Sequence, residues 1–574
     1  MKILFAISLI FGISFIINAQ NYDQSFTITD NEDLTVWEIE ADLNGNVTII
    51  GDFYDSLDID PGVNVNMIYT DKQFDPGSFV ASYTSSGQLR WGLSSDSLIL
   101  QAPYIKPQSI KVYEDGTTFV LCRINGTVDL DPGIGTQLVS DTGQVYALKI
   151  DKNGNYNSHF RLTEDAVETA SFAMDNDKNI YLLGSFSFTA EGFDANGGEA
   201  NTTFTSIGLN DNFLAKYDSI GNIYPSFAFN FGTIKDEYGG NIWVDNLGHL
   251  IIYGIYNPVW TRDLNMNPDL ANPVILNQFQ SRFFAQYNTS DLSLNWAYSL
   301  GSINSGNIID LTTSTTGDIY ITGFFDKEIA FDLISQTTGI LYPNFNTKTI
   351  FTAKYDNSAN LQFVKKIGHG ASSNIQANSI HLGTDDQVMI LGSLNTSISF
   401  NTHTSYDDSY SPVANSDIYL AKYNSLNGEL VYVDVLECSN SANFGESYML
   451  DSTFYIAGNF LETLDLDPDS TVNEQIISNA IDKRDLFIAK YYTFFRDTTS
   501  IIDPIGNLIE NGFGSSLHYY PNPTHDWITI SLGGAPTDIV VKVIDLTGKT
   551  ILSEEKKSVN QFELNFEGKR GYYL

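Results

Sequence analysis

The chain has 574 residues, of which 42% are hydrophobic and only 17% charged. It can bury apolar cores, and it is too long for one core, so it holds several domains or one large repeat array. Its formal charge is −39, from 30 basic and 69 acidic residues, a surface that argues against nucleic acids and anionic membranes as partners. Two cysteines, Cys122 and Cys438, cannot build a disulfide framework and are expected to be structural and unpaired. With no CxxC and no clustered Cys and His, a zinc site is not indicated.

Residues 1–19 read as a secretory signal. Lys2 gives a positive start, residues 3–17 are apolar, and Ala19 suits cleavage before Gln20. The run is short for a membrane span, no second long apolar segment follows, and no Cys marks a lipid anchor, so the mature chain is expected to have no transmembrane span. An uncleaved N-terminal anchor is the alternative. A short strand, residues 26–29, comes next and belongs to no complete unit of its own.

From there the chain repeats. The pentapeptide Phe79-Val80-Ala81-Ser82-Tyr83 recurs at 146–150, 213–217, 283–287, 351–355, 419–423 and 487–491, mostly as aromatic-x-Ala-Lys-Tyr. The spacings are 67, 67, 70, 68, 68 and 68, a period that signals stacked structural units. A second marker, an apolar run ending in Gly, keeps step at Gly51, Gly184, Gly254, Gly323, Gly392 and Gly458, with Cys122 in that place in the second repeat. Each unit resolves into four short strands, A to D. In the third, A is near 170–174, B is 180–186 and C is 212–217, with turns at 175–179 and 218–222 carrying Asp, Gly and Asn. Seven such units predict a seven-bladed β-propeller over residues 20–492. The last repeat lacks a strand D, and residues 26–29 supply one: Phe26 matches Phe160 at two repeats' distance. In a ring that strand completes blade seven and removes an exposed edge. A linear solenoid, the alternative, has no use for it.

Three repeats carry Asp-x-Asp-Pro between strands B and C: Asp58 and Asp60, Asp129 and Asp131, and Asp465 and Asp467. Asn265-Met266-Asn267-Pro268 is a weakened version. Paired carboxylates on a Pro-stiffened loop suit Ca²⁺, the one cofactor the sequence suggests. The competing reading is a turn in which each Asp bonds its own backbone, and the run lacks the remaining ligands of an EF-hand loop. Around a closed ring the three loops are consecutive and are expected to form an acidic arc on the face carrying the B–C and D–A connections.

Catalytic signatures are absent: there is no Gly-x-Ser-x-Gly, no His-Glu-x-x-His and no phosphate loop. Asp385-Asp386 and Asp407-Asp408 are the kind of acidic pair that glycoside hydrolysis uses, but coincidence accounts for them among 69 acidic residues. His249 and His381 read as turn or packing residues. Trp91, Trp243, Trp260 and Trp296 fall mostly in strands and read as packing rather than sugar-stacking residues.

Residues 493–516 have no pattern and read as a linker. The last segment, 517–574, holds Tyr519-Tyr520-Pro521-Asn522-Pro523, an alternating strand at 527–531, a strand at 539–545, the turn Leu546-Thr547-Gly548-Lys549, and Gly571-Tyr572-Tyr573-Leu574. It resembles the type A sorting domain of type IX secretion substrates of Bacteroidetes, a small β-sandwich. The resemblance implies a sorting signal at Tyr520, Pro521, Asn522, Pro523, Gly548, Gly571 and Tyr573, and the secretion machinery as partner. Family members continue past this last motif, so the domain is expected to be cut short at Leu574. Residues 25–492 are similar to the propeller repeats of secreted Bacteroidetes proteins, which implies a fold and no chemistry. Three functions follow as expectations: a secreted surface protein that binds or adheres to an unknown protein or glycan, a carbohydrate-active enzyme or lectin, or a structural surface-layer component. The first is favoured, and enzymatic activity is not expected.

Overall fold

The computed structural model describes residues 21–492, apart from short loop segments of which the longest are 95–103, 191–202, 257–263, 369–375 and 401–408, and the strands between 518 and 565. The expected signal and linker lie outside the described residues. Two compact units divide at Arg496, and no α-helix occurs among the described residues.

The first unit is a ring of seven four-stranded antiparallel sheets. Blade one pairs Thr35–Ala41, Val47–Phe53, Gly77–Tyr83 and Leu89–Ser94 in the order A-B-C-D. Blades two to six repeat it. Blade seven closes as expected: Asn21–Ile28 lies antiparallel to Asp485–Tyr492, with Phe26 opposite Ile488. Two further contacts seal the seam. The Asn459 side-chain amide donates to the Leu34 carbonyl at 2.7 Å, and one core joins Ile39, Ile49 and Tyr83 to Ala457 and Ile488. The solenoid is therefore excluded.

The recurring pentapeptide has a physical cause at each position. Its Ala is fully buried in blades one to seven, where a larger side chain has no room between sheets. In blades five and six its Lys pairs with an acid of the same blade's A–B turn, Lys354 with Asp318 at 2.9 Å and Lys422 with Asp385 at 2.6 Å. Its Tyr is buried, and the hydroxyl needs a partner there. Tyr83, Tyr287, Tyr355 and Tyr491 donate to the carbonyls of Ile59, Met266, Phe331 and Leu466, each in the B–C connection of the same blade.

Neighbouring blades interlock at the C–D turns. Gly221 has φ +83°, and a Cβ there would sit 2.5 Å from the Cβ of Phe160, on strand D of blade two. Gly154 meets Trp91 of blade one in the same way. Only glycine tolerates both the left-handed backbone and that approach. Phe26 occupies the corresponding place against blade one, with its ring 5.1 Å from that of Tyr83.

The structure departs from the sequence reading in the B–C connections. In blade three the two strands run on as a long hairpin, Ile180–Ala190 with Phe204–Tyr217. In blades one and seven the ladder breaks at Asp55 and Glu462, both at positive φ, and resumes as a separate two-stranded hairpin. The second unit holds two small antiparallel sheets. One joins His518–Tyr520, Trp527–Ser531 and Gln561–Asn565, and the other pairs Thr537–Ile544 with Thr550–Val559.

Candidate functional site

Strand A of each blade lines the axis, and its inner edge has no strand partner. Six of the seven inner strands carry a bulge at the same place, for example between Val36 and Glu38 and between Ile308 and Asp310. An extra residue there sharpens the twist where the blades converge. The residue after the bulge, with Ser171 in blade three, forms a polar ring: Glu38, Ser109, Asn241, Asp310, Ser379 and Glu446. Each pairs with the residue before the strand B marker, so it lies 13 positions upstream of that marker, or 12 in blade seven. That offset is visible in the sequence, although no expectation from the sequence used it.

The ring's carboxylates fasten one blade to the next. Glu38 accepts from the Ile110 amide at 2.9 Å and the Ser109 hydroxyl at 3.1 Å. Asp310 accepts from the Ile380 amide at 2.9 Å and the Ser379 hydroxyl at 3.2 Å. Each thereby satisfies an inner-edge N–H that no strand reaches. One step down, Glu40 accepts from the Val112 amide and pairs with Lys111 at 2.7 Å. His381 bonds Ser447 at 2.8 Å, linking blades six and seven.

Enclosure by the ring sets the protonation of these groups, although each keeps a little solvent contact. Burial, with Glu40 nearby, raises the Glu38 carboxyl to about 8. Burial raises Asp310 to about 6. Burial, then the charges of Asp310 and Glu38, hold Glu446 well above the carboxylate range. Burial lowers His381 to about 4. A carboxyl with a raised folded pKa keeps a proton that the unfolded chain sheds. Its contribution is full below the unfolded value and is lost as pH rises through the folded one. For Asp310 that loss is complete near pH 6, and for Glu38 near pH 8. His381 works in reverse, costing stability as pH falls from 6.5 towards 4 and offsetting Asp310 there. Above pH 6.5 the carboxyls alone remain, so the melting temperature should fall between pH 6.5 and 8. Glu446→Gln should raise it at pH 8 and change little at pH 5. A Gln variant that melts lower at pH 8 would mean that the ionised form is the one the fold holds.

At the end of the ring where strands A begin and strands B finish, a cup of about 340 Å³ opens between blades six, seven and one. Thr35, Gln376 and Asn443 come from strand A, and Ser393, Asn395 and Asn459 from the ends of strand B. Its floor includes Val36, Phe444, Gly445 and Gly458. Part of it is tied in place: Asn443 donates to Asn459 at 3.3 Å, and the Ser393 hydroxyl accepts from the Phe444 amide at 2.9 Å. Thr35, Gln376 and Asn395 are exposed. No lining residue is acidic, basic, histidine, cysteine or tyrosine.

The acidic loops lie elsewhere. Asp58 Oδ1 accepts from the amides of Asp60 and Asn66 at 3.1 and 2.8 Å, Asp129 Oδ1 from Asp131 and Gln137, and Asp465 Oδ1 from Asp467 and Glu474. Asp60 and Asp131 accept from Gly62 and Gly133. In blade four Asn265 Oδ1 accepts from Asn267 and Val274 in the same pattern, so a neutral amide oxygen does the same work. Because Tyr83 closes strand C and its hydroxyl holds the Ile59 carbonyl, the connection folds back down the blade. In blade seven Tyr491 holds the Leu466 carbonyl in the same way. Asp129 and Asp131 border a groove of about 360 Å³ between blades one and two. Among the described residues no three acidic, histidine or cysteine side chains form a metal-holding group. Calcium binding by these loops remains a proposal. If the loops work as backbone turns, Asp58→Asn and Asp465→Asn should each shift stability by less than about 1 kcal/mol, and added calcium should leave thermal melting unchanged. A calcium-dependent rise in melting, lost in either variant, would give the loops a metal.

Of the other candidates, Cys122 and Cys438 are buried and unpaired. Burial raises the Cys122 thiol to about 12. Trp91 and Trp296 are buried and Trp243 half-buried on an inner strand, while Trp260 lies outside the described residues. His249 bonds Asp245 within its turn, and Asp385 is held by Lys422. Asp407 and Asp408 lie outside the described residues. So do Pro521, Asn522, Pro523, Gly548, Gly571 and Tyr573, while Tyr520 ends a strand opposite Thr529.

Residues 518–574 match the family described as a secretion system C-terminal sorting domain. The chain is a secreted seven-bladed β-propeller that carries this domain, and the domain, of the type IX kind, ties it to that secretion machinery. A WD repeat-containing protein of Acanthamoeba polyphaga mimivirus is 25% identical over 156 residues, covering 26% of this chain. The chain spans about 11% of the length of that relative. Solved structures with a similar arrangement include a protein of unknown function from Dyadobacter fermentans (8% identity, 83% of this chain and 100% of the other, TM-score 0.34). The WD40 domain of SCAP from fission yeast is 8% identical, over 82% of this chain and 98% of its own, at a TM-score of 0.33. A polysaccharide lyase, an ulvan lyase, is 10% identical over 75% and 93%, at 0.39.

Proposed function

We propose that the propeller is a binding module, displayed outside the cell by its sorting domain, and that its contact site is the cup between blades six, seven and one. The supporting observation is the lining itself: hydrogen-bonding groups converge in a preformed concavity, and none of them titrates. Acid–base and nucleophilic catalysis both need a group that exchanges a proton or carries a reactive lone pair near neutral pH. Titratable groups beside the lining are engaged elsewhere: Asp417, next to Ser416, accepts from the Cys438 and Val413 amides, Glu446, next to Gly445, accepts from the Ser447 amide, and the Tyr419 hydroxyl donates to the Gln376 carbonyl. Binding without turnover is what this arrangement supports. The test is saturable binding of a polymer or protein by the purified full chain, with no new chain ends after prolonged incubation. Release of fragments from any polymer would overturn the reading.

A further inference from the structure

We infer that the cup takes an uncharged polyhydroxylated ligand, the end or side branch of a neutral glycan. The inference rests on the binding-module reading and narrows it. Three observations carry it.

The first is the kind of hydrogen-bonding group. Side-chain amides and hydroxyls each offer a donor and an acceptor close together. Gln376, Asn395 and Thr35 present such pairs around one small space, beside Asn443, Asn459 and Ser393, which are held by hydrogen bonds of their own. Neighbouring hydroxyls of a sugar ring, which both donate and accept, match them. The floor beneath is carbon: Val36, Phe444 and two glycines. Gly445 and Gly458 add no side chain to that floor.

The second is charge. In a chain of net charge −39 the lining is neutral throughout. A carboxylate or sulfate ester would enter against the protein's field and find no cation in the cup. A cationic ligand would find no counter-charge there either.

The third is that the repeat itself does not demand small polar side chains at the places that blades six and seven give to the cup. Ser393 and Asn459 follow the strand B glycine. The same position is Asp52 in blade one, Arg123 in blade two, Ser185 in blade three, Ile255 in blade four and Phe324 in blade five. The structural repeat tolerates charge and bulk at this place, and blades three, six and seven carry small polar groups instead. A volume of about 340 Å³ is at the small end of ligand pockets, which run from about 300 to 1,000 Å³. It suits one or two sugar rings, not a folded domain.

The test is calorimetry on the purified full chain with neutral gluco-, manno-, galacto- and xylo-oligosaccharides, matched polyuronates and sulfated galactans, and a peptide library. The paired variant uses Gln376→Ala with Asn395→Ala, both exposed, with unchanged melting as the control for folding. Saturable binding of at least one neutral oligosaccharide is expected, with affinity falling roughly tenfold or more in the double variant and no measurable binding of the anionic polymers. Preference for the anionic polymers, silence across the neutral set, or full affinity in the double variant overturns the inference. Peptide binding that is lost in the double variant overturns it while leaving the binding-module reading standing. Cleavage of a bound polymer overturns that reading instead.

Discussion

Deleting residues 21–28 should unfold the whole propeller. The strand is the outermost of blade seven, and it comes from the opposite end of the chain to the three strands it joins. It pairs with Asp485–Tyr492 from Asn21 to Ile28. Ile28 is fully buried, Tyr22 packs on Tyr491 with ring centroids 5.9 Å apart, and Asp23 pairs with Lys490 at 2.9 Å. Burying the Ile contributes about 2–3 kcal/mol, and each ladder bond about 1 kcal/mol. The strand therefore supplies roughly 5–10 kcal/mol, against a typical domain stability of about 5–15 kcal/mol. The loss does not stay local. Phe26 also covers Gly87 and Tyr83 of blade one, so its removal exposes the seam core and leaves Tyr491 on an open edge. Calorimetry should show no cooperative transition near that of the intact chain. A synthetic peptide of residues 21–29 added in trans should restore it by strand addition. A truncated protein that melts with the full one would show that the ring does not depend on this closure.

The closure was legible because it is a counting argument. Seven pentapeptides, six full complements of four strands and one unmatched strand at Phe26 leave a single way to pair every edge. The interlock was half legible. Gly221 marked a turn, but its contact with Phe160, like that of Gly154 with Trp91, joins different blades and shows only in three dimensions. The Asp-x-Asp-Pro loops stood out because Asp carries charge and Pro is rare. Their place in the fold turned on Tyr83 reaching back to Ile59, which no local pattern announces. The cup was illegible for the opposite reason. Thr35, Gln376 and Asn443 are ordinary polar residues at strand starts, and the first stands more than three hundred positions from the others. Only the closed ring brings blade one beside blades six and seven. The inner ring was the missed opportunity: a polar residue 12 or 13 positions before the strand B marker recurs in all seven repeats. It went unread because its members differ in kind, two Glu, one Asp, one Asn and three Ser.

Ending the chain at residue 496 should leave the propeller's melting where it was and abolish its export across the outer membrane. The sheets of the C-terminal unit are completed among their own strands. Trp527–Ser531 pairs with His518–Tyr520 and Gln561–Asn565, and Thr537–Ile544 with Thr550–Val559. None of these strands adds to a blade, so among the described residues the propeller loses no ladder bond when they go. The export step is different, because the family matched at 518–574 is a sorting domain, read by the secretion machinery. A chain that keeps residues 1–496 should therefore fold and stop short of the surface. Fractionation, with protease added to whole cells, should find it protected in the periplasm with an unchanged melting temperature after purification. The converse fusion, residues 497–574 joined to an unrelated periplasmic reporter, should carry that reporter outside. Truncated protein that protease reaches on intact cells would place the sorting information in the propeller. A truncated propeller that melts lower would mean that the two units stabilise each other despite sharing no strand.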